Sequence, residues 1–358
     1  MIDMSKSDLI NAKIHQGIGY ISLNRPSALN ALNREMVDEL HNLLESWACS
    51  SEVDVVVLNS TSPTFFCSGG DIKDLYHHFQ KQDWVKIQSF YTQEYALNKK
   101  LSCFPKPTIA IGAGLVMGGG FGLAHHCDYR IVTETSSWAM PETAIGFFPD
   151  VGAAWFLNQC PGFTGWLMAL SGCRVNAEDL LYTGLGTHHL ASRSLDFFYE
   201  GLEKAPTNVD AQGCIDILLE NLQAPTQLES PLAHFRQEID AFLAEGDLEI
   251  LLSSFDMLLL QKLKPAEKEW LQNIYDLFAY ASPLSLKVTH LYLQKKKSAS
   301  LENVFDCDLK LAKVFLEQGD FIEGVRAKLI DRDGQPNWKY SDLFDINQAA
   351  IKPFVDSF

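Results

Sequence analysis

Residues 107–126 have the sequence PTIAIGAGLVMGGGFGLAHH, which passes from an apolar run through a glycine-rich turn into a helical pattern. Residues 107–112 predict a buried strand, residues 114–120 a turn, and residues 121–126 the start of a helix. The first turn of this kind along the chain, FFCSGGD at residues 65–71, also follows an apolar run and precedes a helix, and the turn at residues 114–120 is the second. Glycine lets such turns take unusual dihedral angles and lets a ligand approach the backbone closely.

Strand and helix patterns alternate on both sides of these turns. Residues 10–24 predict a hairpin with a turn at Gln16-Gly17, and Asn33 is the predicted N-cap of a helix that runs to about Ala48. The apolar run at residues 53–58, VDVVVL, is typical of a central parallel strand covered on both faces. This alternation continues to about residue 190 and predicts an α/β fold.

The rest of the chain has helical spacing of its apolar residues, as at residues 215–222 and 255–263. We therefore predict two domains. Residues 1–195 form an α/β core with the functional site, and residues 196–358 form a helical extension that packs on the core or on a neighbouring subunit.

The bulk composition excludes several classes of partner. The chain has 358 residues and a formal net charge of -16, which argues against nucleic acid and against anionic membranes as ligands. No uninterrupted apolar stretch reaches the length of a membrane span. The eight cysteines form no CxxC pair, and residues 1–13 resemble neither a signal peptide nor a transit peptide. We expect a cytoplasmic protein.

Backbone N–H groups at the two glycine-rich turns are candidates for binding developing negative charge. The first N–H groups of a helix lack intrahelical acceptors, so one from each turn would make an oxyanion hole for a thioester carbonyl. The alternative is that the glycines only permit tight packing of strand against helix. The second turn lacks the GxGxxG spacing of dinucleotide sites and the Gly-Lys-Ser/Thr of a phosphate-binding loop.

Residues 141–150, PETAIGFFPD, hold two carboxylates, Glu142 and Asp150, in an apolar stretch. Carboxylates in such surroundings need partners or a function, and two close together tend to have separated pKa values. One can then act as a base or nucleophile while the other exchanges a proton. The alternative is that both only cap backbone N–H groups at the ends of loops.

Four motifs together resemble the crotonase (enoyl-CoA hydratase/isomerase) superfamily over about residues 10–190. They are Asn24-Arg25-Pro26 with Leu29-Asn30-Ala31-Leu32, Cys67-Ser68-Gly69-Gly70-Asp71-Ile72, Met117-Gly118-Gly119-Gly120, and Pro141-Glu142 with Gly146. The resemblance implies a ClpP/crotonase-like fold of stacked ββα units, here with a C-terminal helical extension. It also implies that the Gly70 and Gly119 N–H groups hold an acyl-CoA carbonyl, and that CoA lies along Ser68, Gly70 and Ile72.

Two departures from the hydratase pattern favour thioester hydrolysis. Hydratases have a second glutamate where this chain has Gly122, and they usually have glycine where it has Asp150. Glu142 with Asp150 resembles the 3-hydroxyisobutyryl-CoA hydrolase branch. That branch also has a characteristic tail, represented here by residues 282–287, SPLSLK, and 320–331, DFIEGVRAKLID.

The resemblance also suggests further site residues. Glu94 is expected to contact substrate, the alternative being a solvated helix carboxylate paired with Asn98 or Lys99. Arg25 and Lys73 are candidate cations for the CoA phosphates, and either could instead be an ordinary surface charge. We expect no metal and no cofactor apart from the CoA of the substrate.

Several alternatives remain open at this point. One carboxylate can support double-bond isomerisation, and a non-catalytic acyl-CoA-binding protein would keep the same fold. Family members commonly assemble as oligomers, so a homo-oligomer is compatible with the sequence. The sequence leaves open the exact acyl group, the oligomeric state, and whether Glu142 is a nucleophile or a general base.

Overall fold

The computed structural model describes residues 2–225, 229–244, 248 and 263–358. Among these residues, ten strands form two sheets: β1 Ile2–Asp3, β2 Ile10–His15, β3 Ile18–Leu23, β4 Val55–Ser60, β5 Phe65–Cys67, β6 Thr108–Ile111, β7 Leu115–Met117, β8 Tyr129–Val132, β9 Ser137–Ala139 and β10 His188–His189. The larger sheet has the order β1-β2-β3-β4-β6-β8-β10, and the smaller has the order β5-β7-β9.

The larger sheet confirms the predicted hairpin and the central parallel strand. β2 and β3 pair antiparallel around Gln16 and Gly17, which both have positive φ. β4 pairs in parallel with β3 on one side and with β6 on the other. Residues 55–58 are buried, as expected for a parallel strand whose two faces are both covered.

Helices cover both faces of this sheet. Residues of β3, β4, β6 and β8 pack with Phe198, Leu202 and Ile215 from the helices Leu195–Lys204 and Thr207–Leu222. On the opposite face, Gly19 leaves room for the indole ring of Trp47 in α1, Arg34–Ala48. The predicted N-cap of α1 is confirmed, since the Asn33 side chain accepts a hydrogen bond from the Met36 N–H.

The smaller sheet is made of strands that the sequence did not predict. Residues 65–67 and 115–117 were expected to belong to turns, and that expectation was wrong because they pair in parallel as β5 and β7. The helix expected after the turn at residues 114–120 is α4, Gly119–His125, and the helix expected after the turn at residues 65–71 is α2, Ile72–Gln80.

The chain divides into two compact units whose segments alternate along the sequence. The first comprises residues 1–71, 92–138 and 175–229, and the second comprises residues 72–91, 139–174 and 230–358. The helix α3, Trp84–Ser102, contributes to both. The predicted domain boundary divides the chain at a single position, residue 195, whereas these two units are each assembled from three separate segments. The boundary stays a prediction.

Helices make up most of the described part of the second unit. The α-helices not yet named in the part of the chain that the structure describes, of which Ala177–Thr183 belongs to the first unit, are Ala153–Phe156, Thr164–Ser171, Ala177–Thr183, Pro231–His234, Arg236–Ala244, Pro265–Tyr280, Pro283–Lys296, Leu301–Gln318, Phe321–Val325 and Gln348–Val355. The helical pattern at residues 255–263 lies almost wholly outside the described residues. Across the described ranges, no helix has both the length and the apolar character needed to cross a membrane.

Candidate active site

The two glycine-rich turns lie side by side because the strands that lead into them are neighbours. β5 and β7 run in parallel, so both end at the same edge of the smaller sheet. A Cβ on Gly69 would lie 3.1 Å from the Met117 carbonyl oxygen and 3.4 Å from the Gly119 nitrogen. The φ of 101° at Gly69 also favours glycine. The close approach of the two turns therefore depends on a residue without a side chain at this position.

The N–H of Gly70 points away from Leu32, the residue with which Gly70 forms a β-bridge. Leu32 donates its N–H to the Gly69 carbonyl and accepts the Asp71 N–H, both at 2.8 Å, which makes a parallel bridge between Leu32 and Gly70. In such a bridge the N–H of the central residue points to the opposite side. The Gly70 nitrogen faces the second turn, where a Cβ on Gly119 would lie 3.3 Å from it.

Gly119 is the first residue of α4. Its N–H belongs to the first turn of the helix, where backbone donors have no intrahelical acceptor. The preceding Gly118 has a φ of 51°, which directs the chain from β7 into the helix. The structure thus brings together Gly70 and Gly119, the two predicted oxyanion-hole residues. Their backbone donors belong to adjacent turns of one compact unit.

Glu94 on α3 reaches the same turns. Its side chain is 3% exposed, and a Cβ on Gly119 would overlap its Oε1 atom. The alternative of a solvated surface carboxylate is therefore wrong. Burial, together with the charge of Glu94, raises the pKa of the nearby Cys67 thiol to about 12. Cys67 thus stays protonated near neutral pH and is not a thiolate nucleophile.

Arg25 is engaged within its own unit. Its Nη1 donates to Asp71 Oδ2 at 2.6 Å and to the Ala31 carbonyl at 2.8 Å. Asn30 fixes the same segment, since its side-chain amide donates to the Phe66 carbonyl at 2.8 Å. Arg25 therefore supports the first glycine-rich turn, and the paired Asp71 offsets much of its charge.

The other predicted CoA-binding residues flank the same motif. Ser68 Oγ donates to the Ala28 carbonyl at 3.3 Å. Ile72 is half-buried at the start of α2, and Lys73 beside it is exposed. An exposed ammonium group next to the turn is available for an anionic ligand, whereas Ser68 already has a backbone partner.

Glu142, in the second unit, begins the 3-10 turn Glu142–Ile145 and is 6% exposed. Its carbonyl accepts the Phe147 N–H at 3.0 Å, and Gly146 ends the turn with a φ of 70°. The turn is thus defined by its own backbone bonds. Glu142 is a nearly buried carboxylate on a short, rigid element, which is a suitable setting for a catalytic group.

The tail motifs hold the Glu142 turn in place. Ser282 donates its N–H to the Thr143 carbonyl at 3.1 Å and its hydroxyl to Asp320 Oδ2 at 2.7 Å. A Cβ on Gly146 would lie 2.5 Å from the Asp320 backbone. The motifs at residues 282–287 and 320–331 therefore have a physical role, because they form the wall against which this turn packs.

Asp150, also 6% exposed, precedes a strained turn. Its carbonyl accepts the Ala153 N–H at 2.9 Å, and the two residues between have φ values of 53° at Val151 and 84° at Gly152. Positive φ at both central positions is the pattern of a type I′ turn. A β-branched valine is unfavourable there, at a cost of roughly 1–3 kcal/mol.

Asp308 is a fully buried carboxyl group beside this turn that was not predicted from the sequence. It accepts the Gly152 N–H at 2.8 Å and the Tyr292 hydroxyl at 2.7 Å. Burial raises the pKa of Asp308 to about 8, and the charge of Asp150 adds to the rise. A signal was present, since Asp308 lies at a helical spacing from the apolar residues at 304 and 311.

In the part of the chain that the structure describes, no three His, Cys, Asp or Glu side chains are grouped to hold a metal ion.

Comparisons with known proteins identify the family. The family model described as enoyl-CoA hydratase/isomerase matches residues 18–355. A Danio rerio protein named 3-hydroxyisobutyryl-CoA hydrolase, mitochondrial, is 33% identical and covers 98% of this chain and 90% of the relative. The Homo sapiens protein of the same name is 33% identical, with coverage of 93% and 84%.

Two solved structures match almost the whole chain. An enoyl-CoA hydratase from Rhodobacter sphaeroides is 30% identical, with a TM-score of 0.84 and coverage of 97% of both chains. A carnitinyl-CoA dehydratase from Mycobacterium thermoresistibile is 31% identical, with a TM-score of 0.85 and coverage of 97% and 96%. The chain therefore belongs to the enoyl-CoA hydratase/isomerase family and has the crotonase fold that its motifs indicated.

Proposed function

We propose that this protein hydrolyses a short 3-hydroxyacyl-CoA thioester, with 3-hydroxyisobutyryl-CoA as its expected substrate. The observation that carries the proposal is the carboxylate pattern. Glu142 and Asp150 are both nearly buried, whereas position 122 in α4 holds a buried glycine in place of the second glutamate of hydratases. The relatives named 3-hydroxyisobutyryl-CoA hydrolase support the same reaction.

The proposed chemistry uses the groups already described. The Gly70 and Gly119 N–H groups bind the thioester oxygen, and each such donor can stabilise the transition state by roughly 3–4 kcal/mol. Glu142 either attacks the carbonyl carbon, giving a mixed anhydride that water then opens, or removes a proton from water that attacks directly. Asp150 binds the substrate hydroxyl and assists proton transfer. In both routes the C–S bond breaks, and the products are the hydroxy acid and CoA-SH.

The remaining contacts are assigned by the family resemblance. Glu94 contacts the acyl group, and its burial against Gly119 supports that role. The adenine and pantetheine portion of CoA lies along Ser68, Gly70 and Ile72. Lys73 is favoured over Arg25 as the phosphate-binding cation, because Arg25 is already paired with Asp71.

The biological setting is proposed on the same basis. Hydrolysis of 3-hydroxyisobutyryl-CoA would place the protein in valine breakdown. The animal relatives carry the word mitochondrial in their names, whereas a cytoplasmic location is our proposal for this chain. CoA enters as part of the substrate, and a homo-oligomer is compatible with the family.

The experiment is a thiol-release assay with dithionitrobenzoate on 3-hydroxyisobutyryl-CoA, 3-hydroxypropionyl-CoA and an enoyl-CoA. We expect release of CoA-SH from the two hydroxyacyl esters. The two differ by one methyl group, which supports only about 10–200-fold discrimination. Conversion of the enoyl-CoA without thiol release would instead establish hydration or isomerisation, and the similar Rhodobacter sphaeroides protein is described as an enoyl-CoA hydratase.

One turnover in water labelled with oxygen-18 tests the anhydride route. Label found in Glu142 would identify this route, since water that opens the anhydride at the Glu142 carboxyl carbon leaves its oxygen there. Label found only in the hydroxy acid would show that water attacks the acyl carbon, either in the thioester itself or in the anhydride, and capture of the Glu142 anhydride by hydroxylamine, as a hydroxamate on Glu142, would then separate the two.

A further inference from the structure

The turn after Asp150 needs an external support. Val151 and Gly152 both take positive φ, and valine rarely adopts this conformation. Strained backbone persists only where the surroundings determine it. The Gly152 N–H donates to Asp308 Oδ2 at 2.8 Å, which links the turn to the helix Leu301–Gln318.

Asp308 is itself held from a second helix. The Tyr292 hydroxyl on Pro283–Lys296 donates to Asp308 Oδ1 at 2.7 Å. Both carboxyl oxygens thus have a donor, one from the turn and one from the tyrosine. Asp308 therefore has a fixed orientation.

Charged and titratable groups on the turn and on two helices lie close to Asp308. Asp150 lies on the turn, and Tyr292 and Lys296 lie on the neighbouring helix. Cys307 precedes Asp308 on its own helix and accepts from the buried Lys296 ammonium at 3.1 Å. Of these groups, Asp150 disfavours a negative charge on Asp308, whereas Lys296 favours it.

We propose that Asp308 is a positioning residue for the reaction. Its carboxyl group fixes the strained turn through the Gly152 N–H and thereby orients Asp150 toward the substrate hydroxyl. This inference rests on the proposed function, since Asp150 is the group that it serves. Asp308 does not touch the substrate, and it acts through the backbone of the turn.

The protonation state of Asp308 makes the proposal testable. Burial raises its pKa to about 8, so the group is largely neutral at pH 7 and becomes charged as the pH rises. Charging it places a second negative group beside Asp150. The hydrolysis rate of the wild type should therefore fall above about pH 8.

Two substitutions separate orientation from charge. In Asp308→Asn the amide oxygen can accept the Gly152 N–H and the amide nitrogen can donate to the Tyr292 oxygen. We therefore expect a kcat at pH 7 within about threefold of the wild-type value, and no fall of kcat above pH 8. In Asp308→Ala both bonds are lost, and we expect kcat to fall on the order of tenfold or more with a smaller change in KM. Asp306→Ala, an exposed position on the same helix, serves as the matched control.

Hydrogen exchange gives a readout that does not need turnover. The Gly152 amide should exchange slowly in the wild type and in Asp308→Asn, and much faster in Asp308→Ala. Unchanged exchange in Asp308→Ala would overturn the inference whether or not the protein is a hydrolase. The inference would also be overturned if the wild type were active and both Asp308 variants had the same kcat and the same pH profile as the wild type. A wild type without thioesterase activity but with the expected exchange pattern would instead refute the proposed function.

Discussion

The constraint on Gly119 shows how one missing side chain shapes the site. Its nitrogen starts α4, and a Cβ added to it would overlap the Glu94 carboxylate and lie 3.3 Å from the Gly70 nitrogen. Any side chain at this position would displace Glu94 or separate the two N–H donors. The need for glycine here comes from the space that the turn leaves and from the ligand that it is proposed to hold.

Gly119→Ala should therefore lose activity with little loss of fold. Alanine suits a helical position, so the effect should come from displacement of Glu94 and of the paired donors. We expect kcat to fall about 10²–10³-fold, as for removal of an oxyanion-hole donor. The control is Gly184→Ala, where a Cβ meets no atom within 4 Å. It should cost only about 1 kcal/mol of stability, because of its positive φ, and leave kcat unchanged. Equal activities of the two variants would contradict the assigned hole.

Among the secondary-structure elements, the connection of the Glu142 turn to the tail is the most informative. Ser282 caps the helix Pro283–Lys296 by accepting the Ser285 N–H, donates to the buried Asp320, and binds the Thr143 carbonyl through its backbone. One residue thus joins a helix start, a buried carboxylate and the Glu142 turn.

Ser282→Ala should destabilise the protein by more than the loss of a cap. An N-cap serine contributes about 1 kcal/mol, and the loss of a partner by buried Asp320 raises the expected total to roughly 2–3 kcal/mol. Ser300→Ala removes an N-cap at an exposed position and should cost about 1 kcal/mol. Urea unfolding measures both. Equal losses would show that the Asp320 bond adds nothing.

The secondary-structure elements that could be predicted from the sequence are those whose turn or cap residues lie within the element itself. The hairpin around Gln16-Gly17 and the helix capped by Asn33 carry their own turn and cap chemistry. β7 was missed because three residues form a strand only through pairing with β5. Asp308 was missed because its role depends on Gly152, which is 156 residues away along the chain. The roles predicted for Gly70, Gly119, Glu142 and Asp150 rest on the resemblance of their motifs to the family, and not on local sequence patterns.

At the scale of the whole molecule, the net charge of -16 is unfavourable for binding the anionic phosphates of CoA. An acidic protein repels an anionic ligand at long range, so the phosphates need a cation close to the site. Arg25 is paired with Asp71, whereas Lys73 is exposed at the start of α2.

Lys73→Ala should therefore raise KM for the acyl-CoA by about 3–10-fold at low salt and leave kcat unchanged, because a phosphate contact is made equally in the ground and transition states. The difference from the wild type should shrink as salt is added. Lys81→Ala, an exposed lysine just after α2, should have no such effect. If Lys73→Ala and the wild type had the same KM at low salt, the phosphates would have to be bound elsewhere.

The proposed hydrolase is tested most directly by measuring CoA-SH release from 3-hydroxyisobutyryl-CoA by the wild type, Glu142→Gln, Asp150→Asn and the exposed control Glu35→Gln. These substitutions keep the shape of each side chain and remove only its charge and basicity. We predict rapid release by the wild type and the control, and losses of at least about 10²-fold in each of the other two variants. A wild type that releases no thiol, or a Glu142→Gln or Asp150→Asn variant that keeps the wild-type rate, would contradict the assignment of a two-carboxylate thioester hydrolase.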